Sequence, residues 1–457
     1  MFTRVEIDGF KSFEGFTLDL EPFCVIAGPN AAGKSNFFDA LRLLSRLAET
    51  DARSALQGLR GEPHELFRQE TIGSAATRMR LSVEVILDRS FTDPYGERRA
   101  LKNTRIRYEV GIERRPDSTG TLEKIFIFHE QAFLIQRDDD SLFQRYGSVK
   151  KYGKEAKASL RLWAPATKNK TKLISMSADG LSIEVTQDGS GGRKRVLSLK
   201  EATETFVSSL RTGGDFQHLY ALRKELISLR FLQLDPTAER LPSDILARDE
   251  LDPNGANLAT VLARMKSETA TEDQPEGVLV DIRQDLSLLI PGVLDIDIVR
   301  NDVARQFQLF VSMRDNSRFG SRVLSDGTLR MIALLAILHD HRRRGVLCFE
   351  EPENGIHEAR LPGLIGLLRR SCTDLMIPPE DGDTLTQIIV NTHSPLVLGQ
   401  LYDYEIVAAD VVTAVDPVAQ TTSRKTRMRH GARDELFLAD QMTRYETLQL
   451  LKRKEII

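Results

Sequence analysis

The stretch that decides the fold is Gly28-Pro29-Asn30-Ala31-Ala32-Gly33-Lys34-Ser35. It fits the glycine-bounded phosphate-binding pattern, and the apolar run 23–27 before it predicts a buried strand. A helix is predicted after it from apolar residues at helical spacing: Phe37, Phe38, Leu41, Leu44 and Leu47. In such a unit, backbone N–H groups and the helix N-terminus hold phosphate oxygens. We therefore predict that residues 28–35 bind ATP, with Lys34 on the β- and γ-oxygens and Ser35 on Mg²⁺; the alternative is a glycine turn that only caps a helix.

The composition is that of a soluble globular protein, since 41% of the 457 residues are apolar and 28% are charged. This length predicts a nucleotide-binding core with at least one further lobe. The sequence has neither a long apolar run nor a signal-peptide pattern, so we expect a cytoplasmic protein without a membrane segment. The formal net charge of −3 means that nucleic-acid contacts would need a local basic region.

The pattern along the chain changes twice. Alternating apolar and polar residues from about 78 to 136 predict antiparallel, half-solvated strands. A stretch rich in Lys, Gly and Ser follows and reads as an insertion. Near-continuous apolar runs at 346–349 and 388–390 then predict parallel strands buried on both faces. Further elements are predicted from weaker patterns: strands at 160–163 and 181–185, helices at 216–231 and 258–265, and a closing strand at 405–415.

Two adjacent carboxylates follow the apolar run 346–349. Glu350 and Glu351 are expected at the C-terminal end of a buried strand, where open α/β sheets bind ligands. Because adjacent strand residues point to opposite sides, one carboxylate can bind Mg²⁺ while the other faces the attacking water. The alternative is a strand that simply ends in two solvated acids.

The segment 324–328 reads Leu-Ser-Asp-Gly-Thr and precedes an apolar-periodic helix. Ser325 or Asp326 suits the N-cap of that helix. The functional alternative is that this helix N-terminus, with Gly327 permitting close backbone approach, binds a γ-phosphate held by another subunit.

His393 directly follows the apolar strand predicted at 387–390. It should therefore lie at the same sheet edge as the two carboxylates. A histidine there can sense or polarise a γ-phosphate, although a histidine at a strand end, taken by itself, is more often a hydrogen-bonded structural residue.

The order of these motifs resembles that of ABC-type ATPases of the SMC/RecF-like branch. That branch includes the ATPase portion of OLD-family proteins and the ATPase subunits of bacterial defence systems such as Septu. The resemblance covers about 1–90 and 278–415. It is carried by four segments: GFKSF at 9–13, GPN at 28–30, LSDGTLR at 324–330 and FEEPENGIH at 349–357.

The resemblance implies an α/β fold, a P-loop ABC-type ATPase head in which a mixed sheet with flanking helices is joined by an antiparallel β lobe. The first half of the head, with the P-loop and the β lobe, would occupy residues 1–136. An inserted α+β lobe, basic and then helical, would occupy 137–277. The second half would occupy 278–457 and carry the signature, the acidic pair and the histidine.

The same resemblance implies residue roles. The catalytic residues would be Lys34, Glu351 as the base that activates water, and His393 as the switch histidine. The Mg²⁺ ligands would be Ser35 and Glu350. Two further residues would complete the nucleotide site: Lys11, in the GFKSF segment, and Asn36, directly after the phosphate loop. The residues that bind the nucleotide of a second copy would be Ser325, Asp326 and Gly327.

The sequence departs from the family pattern at two positions. Many ABC proteins have Asp where Glu350 stands, so direct or water-mediated ligation of Mg²⁺ stays open. His357 stands where many have the aspartate of a subunit-contact loop, so cross-subunit contacts there are not assumed. The glutamine loop has three candidates: Gln69, Gln131 and Gln136.

Two basic regions are candidates for nucleic-acid contact. Residues 145–172 contain nine Lys or Arg and one acid, interleaved with three aromatic residues. The candidate contacts are Lys150, Lys151, Lys154, Lys168, Lys170 and Lys172, with Tyr146, Tyr152 and Trp163 as stacking residues. The second cluster lies at 424–433. The alternative for both is a solvated basic surface whose aromatic residues belong to the core.

These observations predict an ATP- and Mg²⁺-dependent ATPase that pairs head to head or forms a larger homo-oligomer. The resemblance adds nucleic-acid sensing and control of a partner nuclease or toxin in anti-phage defence. Because 64 residues follow His393, we expect any nuclease to be a separate chain. Two alternatives stay open: a RecF-like repair ATPase without a toxic partner, and a scaffold that ATP locks with negligible turnover.

Overall fold

The computed structural model describes residues 1–71, 74–117, 122–148, 154–168, 171–188, 193–315, 317–416, 421–431 and 441–452. The chain forms two compact units. Unit 1 consists of Met1–Leu229, Cys372–His393 and Tyr402–Ile457, and unit 2 of Arg230–Ser371 and Ser394–Leu401. These units follow other boundaries than the predicted ranges 1–136, 137–277 and 278–457.

The described elements are strands, α-helices and short 3₁₀ turns. The strands are β1 (Phe2–Asp8), β2 (Phe16–Asp19), β3 (Phe23–Ala27), β4 (Gln69–Thr71), β5 (Ser74–Ala75), β6 (Arg78–Ile86), β7 (Ser90–Thr92), β8 (Arg98–Ala100), β9 (Arg105–Pro116), β10 (Glu123–Leu134), β11 (Thr171–Met176), β12 (Ser182–Thr186), β13 (Lys194–Ser198), β14 (Arg230–Leu232), β15 (Ser243–Asp244), β16 (Val293–Asn301), β17 (Gln306–Met313), β18 (Arg318–Gly320), β19 (Gly345–Glu350), β20 (Thr386–Thr392), β21 (Ile406–Asp416) and β22 (Thr421–His430). The helices are α1 (Lys34–Leu47), α2 (Ala52–Gln57), α3 (Ser141–Ser148), α4 (Lys154–Trp163), α5 (Phe206–Ser209), α6 (Gln217–Ile227), α7 (Pro236–Glu239), α8 (Leu258–Thr269), α9 (Leu279–Leu289), α10 (Asp326–His339), α11 (Leu361–Arg370), α12 (Pro395–Leu398) and α13 (Arg444–Lys452). Short 3₁₀ turns lie at Pro63–Leu66, Arg137–Asp139, Ser321–Val323, Glu358–Arg360 and Asp403–Glu405.

An eight-stranded antiparallel sheet belongs to unit 1, in the strand order β13-β12-β11-β10-β9-β6-β1-β2. In β1, Val5 and Ile7 are buried, whereas Glu6 is half-exposed and Asp8 is exposed. This alternation is what one packed face and one solvated face require. The predicted antiparallel lobe is confirmed, and β11 to β13 extend the same sheet beyond residue 136.

The phosphate loop follows β3, which belongs to a second group of paired strands in unit 1. The fully buried β3 pairs in parallel with β20 on one side and with β21 on the other. The antiparallel strand β22 adds to β21. The predicted strands at 388–390 and 405–415 are therefore confirmed, and the parallel, two-sided burial explains their near-continuous apolar sequences.

Unit 2 carries the second set of predicted motifs. Its β14 and β19 pair in parallel, and β15, β16 and β18 join β17 in an antiparallel sheet. Helix α10 packs against α7, α8 and α9. Nearly every apolar residue of α10 is buried, which explains why its sequence lacks a polar stripe.

Two secondary-structure predictions need correction. Residues 160–163 were predicted as a strand but lie in α4, because Glu155 to Ser159 are mostly good helix formers and Leu160 and Trp163 share one buried helical face. The second basic cluster, 424–433, was given no strand, but its residues 424–430 lie in β22. Within the described ranges, no helix has the length and apolar character needed to span a membrane.

Candidate functional site

The phosphate loop leaves β3 beside the end of β20. The Gly28 N–H donates a hydrogen bond to the Thr392 carbonyl at 3.3 Å, because Ala27 and Thr392 are register partners in the two parallel strands. The chain then turns through two left-handed residues, Ala31 with φ +62° and Gly33 with φ +88°, and enters α1. The predicted strand, loop and helix are contiguous in the structure.

Two glycines let this loop lie directly against β21 and β22. A Cβ at Gly33 would lie 2.0 Å from Oγ1 of Thr426, and a Cβ at Gly28 would lie 2.3 Å from the Ala409 carbonyl oxygen. Neither position has room for a side chain, and Gly33 also needs its left-handed backbone. The position of the phosphate loop therefore depends on its close fit to the neighbouring strands.

The Lys34 side chain is buried and folds back over the loop. Its ammonium group donates hydrogen bonds to the carbonyl oxygens of Gly28 at 2.7 Å and of Pro29 at 2.8 Å. The first hydrogen bond of α1 runs from the Phe37 N–H to the Gly33 carbonyl at 3.1 Å. The positive charge is thus held at the mouth of the loop, beside the N-terminus of α1.

The N-terminus of α1 has no side-chain cap, since its N-cap residue is Gly33. The N–H groups of the first turn consequently lack intrahelical acceptors and favour an anion. Ser35 is half-buried in this first turn and supplies a hydroxyl oxygen, a ligand type that Mg²⁺ accepts. The donors present in the loop therefore fit a Mg²⁺-bound triphosphate.

Two basic residues converge on one buried acid of α1. Lys11 Nζ lies 2.6 Å and Arg60 Nη2 lies 3.0 Å from Asp39, whose side chain is 2% exposed. Arg60 also donates to the Ser35 carbonyl at 3.0 Å. Lys11, predicted as a nucleotide-site residue, has a left-handed backbone with φ +45°. Two cations against one carboxylate leave net positive charge beside the first turns of α1.

Asn36, also predicted in the nucleotide site, links three segments. Its Nδ2 donates to Ser12 Oγ at 2.9 Å, and Ser12 Oγ lies 2.7 Å from Thr426 Oγ1. The Thr426 N–H also donates to the Ser12 carbonyl at 2.9 Å. The loop at 9–13, α1 and β22 are therefore tied together around Gly33.

His393 is exposed and directly follows β20. Its neighbour Thr392 is the register partner of Ala27 and accepts the hydrogen bond from Gly28. His393 therefore directly follows the strand end that accepts a hydrogen bond from the first residue of the phosphate loop.

The two predicted catalytic carboxylates lie in unit 2 at the end of β19. Glu350 is the last strand residue, and Glu351 has a left-handed backbone with φ +49°. Asn354 Nδ2 donates to Glu351 Oε2 at 2.7 Å, and the Asn354 N–H donates to the Glu351 carbonyl at 3.1 Å. The strand alternation used to place the two carboxylates ends at Glu350, and a turn orients Glu351 instead.

The predicted signature motif forms the start of α10. Ser325 is the N-cap and accepts a hydrogen bond from the Thr328 N–H at 3.2 Å. Arg240 donates to the Leu324 carbonyl at 3.0 Å and to Asp326 Oδ1 at 2.5 Å. An acid at this position opposes an incoming phosphate, and Arg240 offsets part of its charge.

The signature turn packs directly on the turn that carries Glu351. A Cβ at Gly327 would lie 2.2 Å from the Gly355 carbonyl oxygen. Arg330 Nη1 donates to the Asn354 carbonyl at 3.4 Å. Two motifs that are distant in the sequence therefore share one surface of unit 2, and sequence reasoning missed Arg240 and Asn354.

The departures from the family pattern also have structural places. His357 caps a 3₁₀ turn by accepting the Ala359 N–H at 3.3 Å. Gln136 donates to the Lys168 carbonyl at 2.7 Å, and Gln131 lies in β10 of the antiparallel sheet. Gln69 lies in β4, next to the segment that bonds the loop at 9–13. The glutamine loop stays unassigned among these three.

The basic region 145–172 is only partly described. Lys154, Lys168 and Lys172 are exposed. Three predicted contacts and one predicted stacking residue lie outside the described residues: Lys150, Lys151, Lys170 and Tyr152. Tyr146 and Trp163 are buried in an apolar cluster with Leu160 and Leu385. The prediction that bases stack on these two rings is therefore wrong, because both rings are buried in the core.

Comparisons with known proteins agree with this arrangement. A family model described as "AAA domain, putative AbiEii toxin, Type IV TA system" matches residues 201–399, and one described as "AAA domain" matches residues 4–210. No curated protein matches the sequence.

Solved structures with similarity over the chain include SMC head domains. An SMC head bound to the C-winged-helix domain of ScpA has 11% identity and a TM-score of 0.47, covering 94% of this chain and 98% of that chain. The SMC head domain from Thermotoga maritima has 12% identity and a TM-score of 0.36, covering 93% and 97%. An Smc head with a coiled coil and joint from Pyrococcus yayanosii has 12% identity and a TM-score of 0.44, covering 98% and 99%.

The two matching AAA models together span residues 4–399. The phosphate loop falls in the first match, and the signature helix, the acidic pair and His393 fall in the second. The P-loop ABC-type α/β fold follows from this motif order on parallel strands. Over residues 4–399 the chain is therefore similar to AAA-domain proteins.

Proposed function

We propose that this chain binds Mg²⁺·ATP at its phosphate loop and hydrolyses it in composite sites formed by two copies. The observation that carries the proposal is the uncapped N-terminus of α1, with the Lys34 ammonium held over the loop. A glycine N-cap leaves the first N–H groups of α1 without a side-chain acceptor, and the ammonium group adds positive charge beside them. Both are what a triphosphate requires.

Within this proposal, each residue has a defined task. Ser35 and Glu350 are the residues that would hold Mg²⁺, and the ion would supply positive charge to offset that of the phosphates. Glu351 accepts a proton from the attacking water, and Asn354 orients its carboxylate through the 2.7 Å hydrogen bond. His393 contacts the γ-phosphate from the end of β20.

The signature helix is proposed to act on a second copy. Ser325 and the first N–H groups of α10 would bind the γ-phosphate held by the partner, together with Asp326 and Gly327 as backbone donors. Each site would then be complete only in a head-to-head pair. The pair would form with ATP and separate after hydrolysis.

The first test replaces Lys34 by Ala and compares it with Lys102→Ala, an exposed lysine of unit 1. Loss of a charge-assisted contact should weaken ATP binding by roughly 10- to 100-fold, measured by titration calorimetry. The Lys102 variant should bind like the wild type. Unchanged binding in Lys34→Ala would overturn the phosphate-loop assignment.

The second test replaces Glu351 by Gln. Loss of a general base should lower phosphate release by at least about 100-fold while ATP still binds. Light scattering should then detect an ATP-dependent dimer that persists. A variant with normal turnover would contradict the base assignment, and a wild type that dimerises without releasing phosphate would favour the ATP-locked scaffold.

We also propose that ATP turnover controls a separate effector, a nuclease or toxin, in anti-phage defence, with nucleic acid as the trigger. The matching model described by an AbiEii toxin and a type IV toxin–antitoxin system supports this setting over DNA repair. Copurification with the products of neighbouring genes, followed by nuclease assays with and without ATP, tests the effector. Charge reversal of Lys154, Lys168 and Lys172 that left DNA affinity and its salt dependence unchanged would remove this surface from the proposal.

A further inference from the structure

Glu239, the last residue of α7, is a buried acid without a hydrogen-bonding partner in the described part of the chain. The residue is 2% exposed, and neither carboxyl oxygen is paired. Gly255 lies against it so closely that a Cβ there would be 2.6 Å from Glu239 Cγ. Burying an unpaired carboxylate costs several kcal/mol, as an order of magnitude, so its surroundings must offset this cost.

Charged groups reach Glu239 from two sides. The charges of Asp235 and Arg240 act on its carboxyl group from its own segment, and those of Asp326 and Arg330 act on it from α10. Gly255, in the loop that precedes α8, packs against the Glu239 side chain. Burial raises the pKa of Glu239 to about 7, an increase that the positive charges of Arg330 and Arg240 reduce.

Arg330 is the cation with bonding capacity left. Arg240 already donates to the Leu324 carbonyl and to Asp326. By contrast, Arg330 Nε is shielded from solvent and has no hydrogen-bond acceptor among the described residues. Its Nη1 contact with the Asn354 carbonyl is long, at 3.4 Å. The Glu239 carboxylate and Arg330 Nε are thus two buried groups of unit 2 that lack hydrogen-bond partners among the described residues, on helices that pack against each other.

Arg330 also forms a hydrogen bond with the turn that contains Glu351. It contacts the Asn354 carbonyl, and the Asn354 side chain donates to Glu351 Oε2 at 2.7 Å. A change in the position of the guanidinium therefore reaches the Glu351 carboxylate through a single residue.

We propose that Glu239 is a positioning residue, whose carboxylate pairs with Arg330 and fixes the guanidinium against the Asn354 turn, so that Glu351 keeps its orientation. The proposal rests on the proposed role of Glu351 in hydrolysis. The pair would join α7 to the signature helix, and the Arg330 contact with the Asn354 carbonyl joins that helix to the catalytic turn.

The first experiment measures ATP turnover of Glu239→Gln between pH 6 and 9. Misplacement of a catalytic group should lower kcat about tenfold at pH 8 and leave KM for ATP unchanged. In the wild type, kcat should rise as the pH passes about 7, because Glu239 ionises there. In Glu239→Gln this rise should be absent, whereas Glu239→Asp should retain part of it.

Glu130 provides a matched control in unit 1. It is buried and has a pKa raised to about 7, but it accepts hydrogen bonds from the N–H groups of Phe206 and Val207. Glu130→Gln should change the unfolding temperature without changing the pH profile of kcat. If Glu239→Gln keeps the wild-type profile and kcat while the wild type hydrolyses ATP, the proposal is overturned.

A second experiment does not depend on turnover. A double-mutant cycle combines Glu239→Gln with Arg330→Gln and follows thermal unfolding at pH 8, where Glu239 is ionised. Coupling between the two substitutions supports the pair, and additive effects overturn it. If the wild type releases no phosphate, the proposed hydrolysis fails, but this cycle still decides whether the pair exists.

The pH dependence of stability gives the sign of the effect. The pKa of Glu239 in the folded chain, about 7, lies above its ordinary value of 4.5. The folded state therefore holds a proton that the unfolded state has lost, and stability falls as the pH rises between these values. This fall should be smaller in Glu239→Gln than in the wild type.

Discussion

The N-termini of α1 and α10 are built in opposite ways, although both helices have 14 residues and both follow family motifs. Helix α1 follows a left-handed glycine that offers no side chain, so its first N–H groups remain available to an external anion. Helix α10 follows Ser325, whose hydroxyl already accepts the Thr328 N–H. The first end is prepared for a phosphate, whereas the second is satisfied by its own sequence.

The charges around the two ends differ in the same sense. Lys34, Lys11 and Arg60 surround the start of α1 against the single acid Asp39. At the start of α10, the negative charge of Asp326 forms an ion pair with Arg240. This difference is what the proposed function requires, in which α1 would hold the phosphates and α10 would add contacts to a phosphate held by a second copy.

The largest effect is expected from replacing Gly33, the N-cap residue of α1. Gly33→Ala places a methyl group 2.0 Å from Thr426 Oγ1 at a residue with φ +88°. The left-handed backbone costs about 1–2 kcal/mol and the overpacking about 1–3 kcal/mol. We expect the free energy of unfolding in urea to fall by roughly 2–5 kcal/mol, and ATP binding to be lost.

Gly96→Ala separates the two causes. Gly96 has φ +86° but no atom within 4 Å of an added Cβ. This substitution should cost only the backbone term of about 1–2 kcal/mol. Equal losses for the two variants would mean that contact with β22 does not shape the phosphate loop.

The second prediction concerns the replacement of Gly327, a glycine in the first turn of α10. A methyl group at Gly327 would lie 2.2 Å from the Gly355 carbonyl oxygen, so the signature turn must move away from the turn that carries Glu351. We expect Gly327→Ala to lower the free energy of unfolding by about 1–3 kcal/mol through overpacking. Turnover should fall more than ATP affinity does, because the phosphate loop is untouched.

Gly366→Ala in α11 is the matched control. Its added Cβ would meet only the flexible end of Arg370, at 3.4 Å. Alanine should then stabilise this helix by up to about 1 kcal/mol. A stabilising Gly327→Ala would contradict the close approach of the two turns.

The sequence predicted the features that depend on neighbouring residues. The strand, loop and helix at 23–47, the antiparallel lobe and the cap at Ser325 follow from local spacing and residue type. Asp39 also left a signal, as a polar residue among the buried apolar residues of α1. Its partners Lys11 and Arg60 could not be paired with it before the fold was known.

Contacts between distant segments left no such signal. Thr426 is far from Gly33 in the sequence, yet its side chain occupies the space that a Cβ at position 33 would need. Arg240 follows a short helix whose sequence shows no periodicity, and its contact with Asp326 exists only because α7 packs on α10. Residues 160–163 were misassigned because a short apolar stretch fits a strand and a helix equally well.

The smallest expected effect concerns Ser325 and separates its two roles. Ser325→Ala removes the cap of α10 and should lower the free energy of unfolding by about 1 kcal/mol. Ser325→Asp keeps a capping oxygen and should retain stability, but it adds a second negative charge next to Asp326. If α10 binds a phosphate of the partner, Ser325→Asp should abolish ATP-dependent dimerisation in light scattering although the chain remains folded. If Ser325 is only a cap, the aspartate variant should dimerise like the wild type, and the difference between the two helix ends would lie in folding alone.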